Sequence, residues 1–348
     1  MDIGPLPAGP APLTAQQIAE YAVAAAVWAP SVHNTQPWWF SAAGQEISLH
    51  ADAGRQLRVA DPRGREMMIS CGAALFTARL ALRALGYIPE TSVLPDPGRP
   101  LLVARVNWRR RAPADEFEQR LYSQVRWRRT HRGGFDPMPL SPDLLTVLRE
   151  GARRDGATLH TVDDEGSRAV LAMTVETAEY ALRLDSAYAR ELARWASPPG
   201  STRRDGVPPT AYPARCERTL PLFPGRDFAR GRGWGAAAGS PSPAPRSAGL
   251  VCLLATTADR PVDWVNAGQA LQRALLTCAA CGVAAALHSQ PIERARLREF
   301  IRTQLCGGSH PQLVLRLGTA VQIAVSVRRP PASVLFAGGG EHLGIDRA

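Results

Sequence analysis

Residues 29–40 read Ala-Pro-Ser-Val-His-Asn-Thr-Gln-Pro-Trp-Trp-Phe, and the organisation of the chain follows from how this stretch can fold. Pro30 drives Ala29 out of the helical region and Pro37 does the same to Gln36, so the backbone between them forms an ordered loop. Ser31, His33, Asn34, Thr35 and Gln36 supply hydroxyl, imidazole and amide groups there. Trp38-Trp39-Phe40 then enters a sheet as a buried strand. Taken singly, each polar residue suits a helix-to-strand connection as well as a binding loop.

Outward from this loop, Thr14 is the expected N-cap of a first helix, with Ile18, Tyr21, Ala22, Ala25 and Trp28 on one face. Strands are expected at 38–40 and 46–50 around an Ala-Gly turn. Asp61-Pro62 starts a long apolar helix from Glu66 to Leu85, closed by Gly86. A strand follows at 101–108. Further on come a helix from Ser141 to Arg154, a strand at 158–162, a helix from Asp164 to Leu184, a strand at 249–257, a helix from Val262 to Cys281 and a strand at 283–287. A helix from Pro291 to Leu305 and a strand at 312–317 complete the pattern. Residues 185–246 show no periodicity and are rich in Pro and Gly, which suits functional cover or a linker.

An internal repeat shapes this pattern. Gly72 to Gly86 and Gly268 to Gly282 span the same length, and Ala74/Ala270, Leu75/Leu271, Ala78/Ala274, Leu80/Leu276 and Ala84/Ala280 match in register. The expected architecture is therefore α+β with two related halves, their central helices packed as a spine. A flexible arm is expected at 1–13, the first half at 14–125, the second at 126–335 with an insert at 185–246, and a tail at 336–348.

With 348 residues and 45% hydrophobic content, the chain can bury a large core. Its formal charge is +10, and all 41 basic residues are arginine. Without lysine, Schiff-base catalysis and P-loop nucleotide hydrolysis are excluded. The positive balance favours anionic ligands. Six dispersed cysteines read as reduced, intracellular thiols, and the Cys278-x-x-Cys281 pair as core packing without a metal. No segment is read as a membrane span or signal peptide, so a cytoplasmic location is expected.

Ala-Pro-Ser-x-x-Asn-x-Gln-Pro-Trp resembles the signature of the FMN-dependent nitroreductase family, in the form carried by its Acg-type tandem subgroup. Arg128-x-Thr130-x-Arg132 is similar to the Arg-x-Ser-x-Arg/Lys element that begins such proteins. The resemblance implies a nitroreductase-like fold, FMN as cofactor and NAD(P)H as reductant. It also implies that Arg128, Thr130 and Arg132 hold the phosphate, ribityl and ring edge, with Pro30, Ser31, Val32 and Asn34 covering one face. Bidentate donors suit a phosphate dianion, and a fixed cation suits the ring edge where reduction builds negative charge. Cys281 and Gly282 fall where relatives present backbone N–H groups to the ring, without the usual acidic residue. Arg328 and Arg329 resemble the C-terminal arginine that completes phosphate binding. Asp205, Gly206, Val207 and Pro208 resemble the subgroup's lid.

Residues 1–14 hold no arginine, so the first half has the loop but lacks the basic element. The second half has Arg128, Thr130 and Arg132, yet Asp155-Gly156-Ala157-Thr158 stands where its Pro-Ser-x-x-Asn loop would be. One complete site is expected, joined from both halves in a monomeric pseudo-dimer, with His33, His131 and His288 as candidate proton donors. Three functions remain open: an oxidoreductase passing hydride from NAD(P)H to a nitroaromatic or quinone or oxidising a small metabolite, a flavin-sequestering protein, or an arginine-rich nucleic-acid binder.

Overall fold

Two five-stranded sheets, built to one plan, flank a pair of crossed helices in the computed structural model, which describes residues 12–214, 217–236, 245–320 and 326–338. The first half runs α1 (Ala15–Ala26), β1 (Trp38–Ala43), β2 (Glu46–Ala51), α2 (Arg65–Ala84), β3 (Tyr87–Val93), β4 (Leu102–Arg111) and α3 (Glu116–Ser123). The chain continues through β5 (Thr130–His131), α4 (Pro142–Arg154), β6 (Thr158–Thr161), α5 (Glu165–Leu184) and α6 (Ser186–Trp195). A short parallel pair, β7 (Thr219–Leu220) and β8 (Arg246–Ser247), precedes β9 (Leu250–Thr256) and α7 (Pro261–Ala280). Last come β10 (Ala284–His288), α8 (Gln290–Glu293), α9 (Ala295–Leu305), β11 (His310–Gly318) and β12 (Leu335–Ala337).

Strand order states the repeat directly. β1-β2-β4-β3 in the first sheet corresponds to β6-β9-β11-β10 in the second, and every neighbouring pair in both series is antiparallel. Each sheet gains a fifth strand from elsewhere: β12 lies parallel to β1, and β5 lies parallel to β10. The C-terminal segment thus crosses back to the first sheet, a step the sequence pattern missed because β12 is only three residues long.

α2 and α7 correspond in this repeat and cross at glycine. A Cβ on Gly72 would stand 2.1 Å from the Val265 carbonyl oxygen, and one on Gly268 would stand 2.0 Å from that of Ile69. The two backbones touch. By length and composition α2 could cross a membrane, contrary to the sequence reading, but it lies largely buried in the core against α7.

Other expectations shift for local reasons. α1 begins at the Thr14 cap, whose side chain and that of Gln17 form a reciprocal capping box. α2 begins at Arg65 and not at Pro62: Gly64 turns left-handed at φ 71°, and the Asp61 carboxylate reaches forward to accept from the Met67 N–H at 2.9 Å. Residues 186–195 form α6 within the stretch expected to lack periodicity, with Tyr188, Leu192 and Trp195 inward at i, i+4 and i+7. These three pack with Leu57, Val207, Tyr212 and Phe228. The insert therefore has a core of its own, shared with the first half. The expected arm at 1–13 and tail at 336–348 lie largely outside the described residues.

Gly72→Ala should lower the denaturant midpoint of unfolding far more than Gly44→Ala. The first Cβ meets backbone, while nothing lies within 4 Å of the second and only its φ of 54° opposes it. A loss of roughly 3 kcal/mol or more is expected at Gly72. Equal midpoints would remove the helix crossing from this account.

Candidate functional site

The cleft between the halves is lined by many separate pieces of chain, among them the N-terminal part of α2 with Glu66, Ile69 and Ser70. Pro30 to Asn34 come from the first half, Arg128 to Arg132 from the connection, and Gly206 to Pro208 with Arg226 and Phe228 from the insert. Leu287 to Gln290 and Arg316 come from the second sheet, and Arg328 from the returning C-terminal segment.

The loop after α1 is held in a costly conformation. His33, Asn34 and Gln36 have φ of 48°, 55° and 49°, which for non-glycine residues costs about 1–2 kcal/mol each. Its polar side chains hold it there. Ser31 Oγ accepts from the Gln36 N–H at 2.9 Å, and Ser70 Oγ from the Val32 N–H at 3.3 Å. Gln36 Oε1 accepts from the Arg329 N–H at 2.8 Å.

The same loop latches the insert. Asn34 Nδ2 donates to the Gly206 carbonyl at 2.9 Å, and the Gly206 N–H donates back to the Asn34 carbonyl at 3.1 Å. Gln36 Nε2 donates to the Arg204 carbonyl at 2.8 Å. Asp205 stands between Arg55 and Arg203, both at 2.9 Å. Gly206 has φ 74°, and a Cβ there would meet the Trp195 carbonyl at 2.7 Å. The left-handed backbone and the close Trp195 carbonyl thus explain a glycine at this point of the latch.

Four of the cleft's arginines stand without a counter-charge. Arg128, Arg132, Arg316 and Arg328 form no ion pair with a carboxylate among the described residues. Arg128 is 4% exposed, and its Nε and Nη1 are buried without a hydrogen-bond partner. Burial, with Arg129 and Arg132 nearby, lowers it to about 10. Arg132 is lowered to about 10, chiefly by burial, and donates to the Ala211 carbonyl at 2.8 Å. Arg328 is held well below the usual arginine range by burial and by Arg128, Arg129 and Arg132. It donates to Asn34 Oδ1 at 3.1 Å, and its Nε has no partner. Such a cluster is costly until an anion enters it.

The run Arg126 to Arg132 therefore does not form one solvated basic stripe. Arg126, Arg129 and Arg328 lie over the Trp28 ring, with guanidinium carbons 5.2, 5.5 and 5.7 Å from its centroid, while Arg128 and Arg132 line the cleft.

Among curated proteins, the chain is 33% identical over 300 residues to putative NAD(P)H nitroreductase Rv3131 of Mycobacterium tuberculosis, covering 85% of this chain and 83% of that protein. The chain belongs to the NAD(P)H nitroreductase family. Putative NAD(P)H nitroreductase acg of the same organism is 26% identical over 343 residues, covering 96% of this chain and 99% of that one. A solved nitroreductase with bound FMN from Desulfitobacterium hafniense is 16% identical, with a TM-score of 0.35 over 60% of this chain and 93% of its own. No family model matches the sequence.

As a tandem nitroreductase, the chain brings Pro30, Ser31, Val32, Asn34, Arg128, Thr130, Arg132, Gly206, Val207, Pro208 and Arg328 to one cleft. Cys281 and Gly282 are not among its lining residues: Cys281 caps α7, and both are exposed. The segment that lines the cleft is Leu287 to Gln290, at the far end of the following strand. The apolar run of β10 ending in His-Ser-Gln-Pro was the signal to follow, since it delivers a polar turn just after a buried strand. Arg329 braces the loop, its guanidinium donating to the Gln36 and Trp38 carbonyls at 3.4 Å, and Asp205 acts outside the cleft as part of the latch.

The three candidate histidines sit where the charged imidazolium is disfavoured. His33 and His288 are held well below the ordinary imidazole range. Burial is the main cause for both, with Arg226 and Arg132 acting on His33 and Arg316 and Arg226 on His288. Arg316 Nε donates to His288 Nε2 at 2.9 Å, which requires that nitrogen to be unprotonated. His131 is lowered as well, chiefly by burial. Burial and the surrounding arginines thus favour the neutral ring at all three. Among the described residues, no group of three or more His, Cys, Asp or Glu could hold a metal.

Burial opposes the Asp205 carboxylate, yet Arg55 and Arg203 outweigh it and lower its pKa in the folded protein. A depressed pKa adds stability above the unperturbed aspartate range, lost as pH falls through the folded value. Asp205→Asn should therefore speed hydrogen exchange at 197–208 at neutral pH. At acid pH the difference from wild type should shrink. Unchanged exchange at pH 7 would show that the ion pairs do not latch the insert.

Proposed function

We propose that this chain is a cytoplasmic, monomeric FMN-dependent oxidoreductase that takes hydride from NAD(P)H and passes it to a small electron-poor acceptor such as a quinone or nitroaromatic. The observation that carries the reading is the set of cleft guanidiniums without carboxylate partners, above all the buried Arg128 with two donors unmatched. The donor set fits FMN. Arg128 and Arg328 would hold the phosphate, Thr130 and Ser31 offer hydroxyls to the ribityl chain, and Arg132 would place its charge beside the ring. When bound, FMN supplies hydride transfer between nicotinamide and acceptor. The protein's part is position and field. The Arg cluster attracts anions, the loop fixes one wall, and Val207, Pro208 and Phe228 of the insert exclude water from the opposite one.

The latch favours a second reading, in which the insert stays closed and the protein stores flavin without turnover. Anaerobic mixing with NADH or NADPH separates the two, since a working enzyme bleaches the flavin spectrum and a closed store does not. For the cofactor itself, Arg128→Ala should weaken FMN binding roughly ten- to a hundredfold, the worth of a charge-assisted hydrogen bond of about 1.5–3 kcal/mol. Arg132→Ala should do the same, while Asn34→Ala should weaken it less. Unaltered FMN affinity in the Arg128/Arg132 double variant would refute the cofactor-binding role given to these two arginines.

A further inference from the structure

We propose that Glu66 is the proton donor of the cleft, its carboxyl Oε2 hydrogen reserved for the oxygen of a carbonyl or nitro acceptor bound there. This rests on the oxidoreductase reading for its chemistry, though its geometry stands alone. Glu66 lies in the first turn of α2, is 5% exposed and lines the cleft. Oε1 accepts from Arg65 Nη2 at 2.8 Å, whereas Oε2 is buried without a hydrogen-bond partner. A carboxyl hydrogen on Oε2 finds no acceptor within the described protein. An acceptor atom on a ligand would complete it.

Four charged groups act on this carboxyl. Burial is the largest effect and raises it well above the ordinary range, and Glu293 of α8 and Asp61 before α2 push the same way. Arg65 and Arg226 oppose them. Arg226 is engaged elsewhere, with both its Nη atoms donating to the Glu293 carboxylate in a pair buried from solvent. Arg65 is shared with Gln312, whose backbone oxygen accepts from it at 2.7 Å. The positive end of α2 also favours the anion. Glu66 is thus the acid that the neutral histidines do not provide.

The step balances simply. A quinone carbonyl takes up one hydride equivalent originating from NAD(P)H, which leaves as NAD(P)+. The oxygen that gains charge forms a bond to the Glu66 proton as the carboxyl O–H breaks. The carboxylate left behind faces Arg65 at 2.8 Å and regains a proton from water. A nitro group reduced by two electrons takes its proton in the same way and loses water.

Glu66→Gln holoprotein tests this in two ways. After anaerobic reduction by NAD(P)H, reoxidation by 1,4-naphthoquinone should be slowed roughly a hundredfold at equal FMN content, a typical worth of a general acid. The wild-type rate should fall as pH rises through the Glu66 pKa, because only the acid form donates, and the variant should lose this dependence. Independently of turnover, infrared spectra of oxidised wild type at pH 7 should show a carboxylic acid carbonyl band that shifts on adding naphthoquinone and is absent in Glu66→Gln. If that variant does not fold, Glu66→Asp, which withdraws the acid by one methylene, should move the band and slow reoxidation. Wild-type reoxidation rates and pH dependence in a folded variant, or no carboxylic acid band assignable to Glu66, would overturn the proposal. Failure of NAD(P)H to reduce wild type would instead count against the oxidoreductase reading, and the infrared band would still decide Glu66.

Discussion

The contact between Gly72 and Gly268 sets the geometry on which the rest depends. With a Cβ on either residue about 2 Å from a carbonyl oxygen of the facing helix, α2 and α7 can meet backbone to backbone only because both positions are bare. That approach joins the halves through a continuous core that includes Leu75, Leu82, Leu271 and Leu275. It also brings the loop after α1 opposite the end of β10. A cleft lined by both halves follows from the crossing.

What fills that cleft is decided by charge. Several half-buried arginines elsewhere have found carboxylates: Arg273 pairs with Asp155, Arg298 with Asp259 and Arg83 with Glu118, each at 2.8 Å or less. Those pairs stabilise geometry and leave little field behind. In the cleft Arg226 keeps such a partner, but Arg128, Arg132, Arg316 and Arg328 answer to carbonyls, an imidazole, an amide or nothing. Removing such groups from water without a counter-charge lowers the stability of the free protein. A bound dianion would return that stability, so ligand and fold are coupled.

Much of this was legible in the sequence because it rests on local rules. The Thr14 cap, the glycine stop at Gly86, the bounds of α5 and the matched glycines of α2 and α7 each announce themselves within a few residues. The polar loop between two prolines was likewise visible, as was the presence of cleft-lining residues in both halves. Three things were not. α6 was hidden because its three inward residues stand among Pro-rich and Arg-rich neighbours and pack on a surface distant in sequence. β12 pairs with β1 across nearly the whole chain, which no local pattern records. Glu66 carried no signal either: an acidic residue in a helix's first turn is ordinarily solvated, and only the approach of Glu293 and the burial of α2 change its character.

The central claim is that the two halves together make one cofactor site and not two. Calibrated release of flavin from protein of known native mass tests it most directly. The account predicts one FMN per monomeric chain. Two flavins per chain, or one flavin shared between two chains, would contradict it.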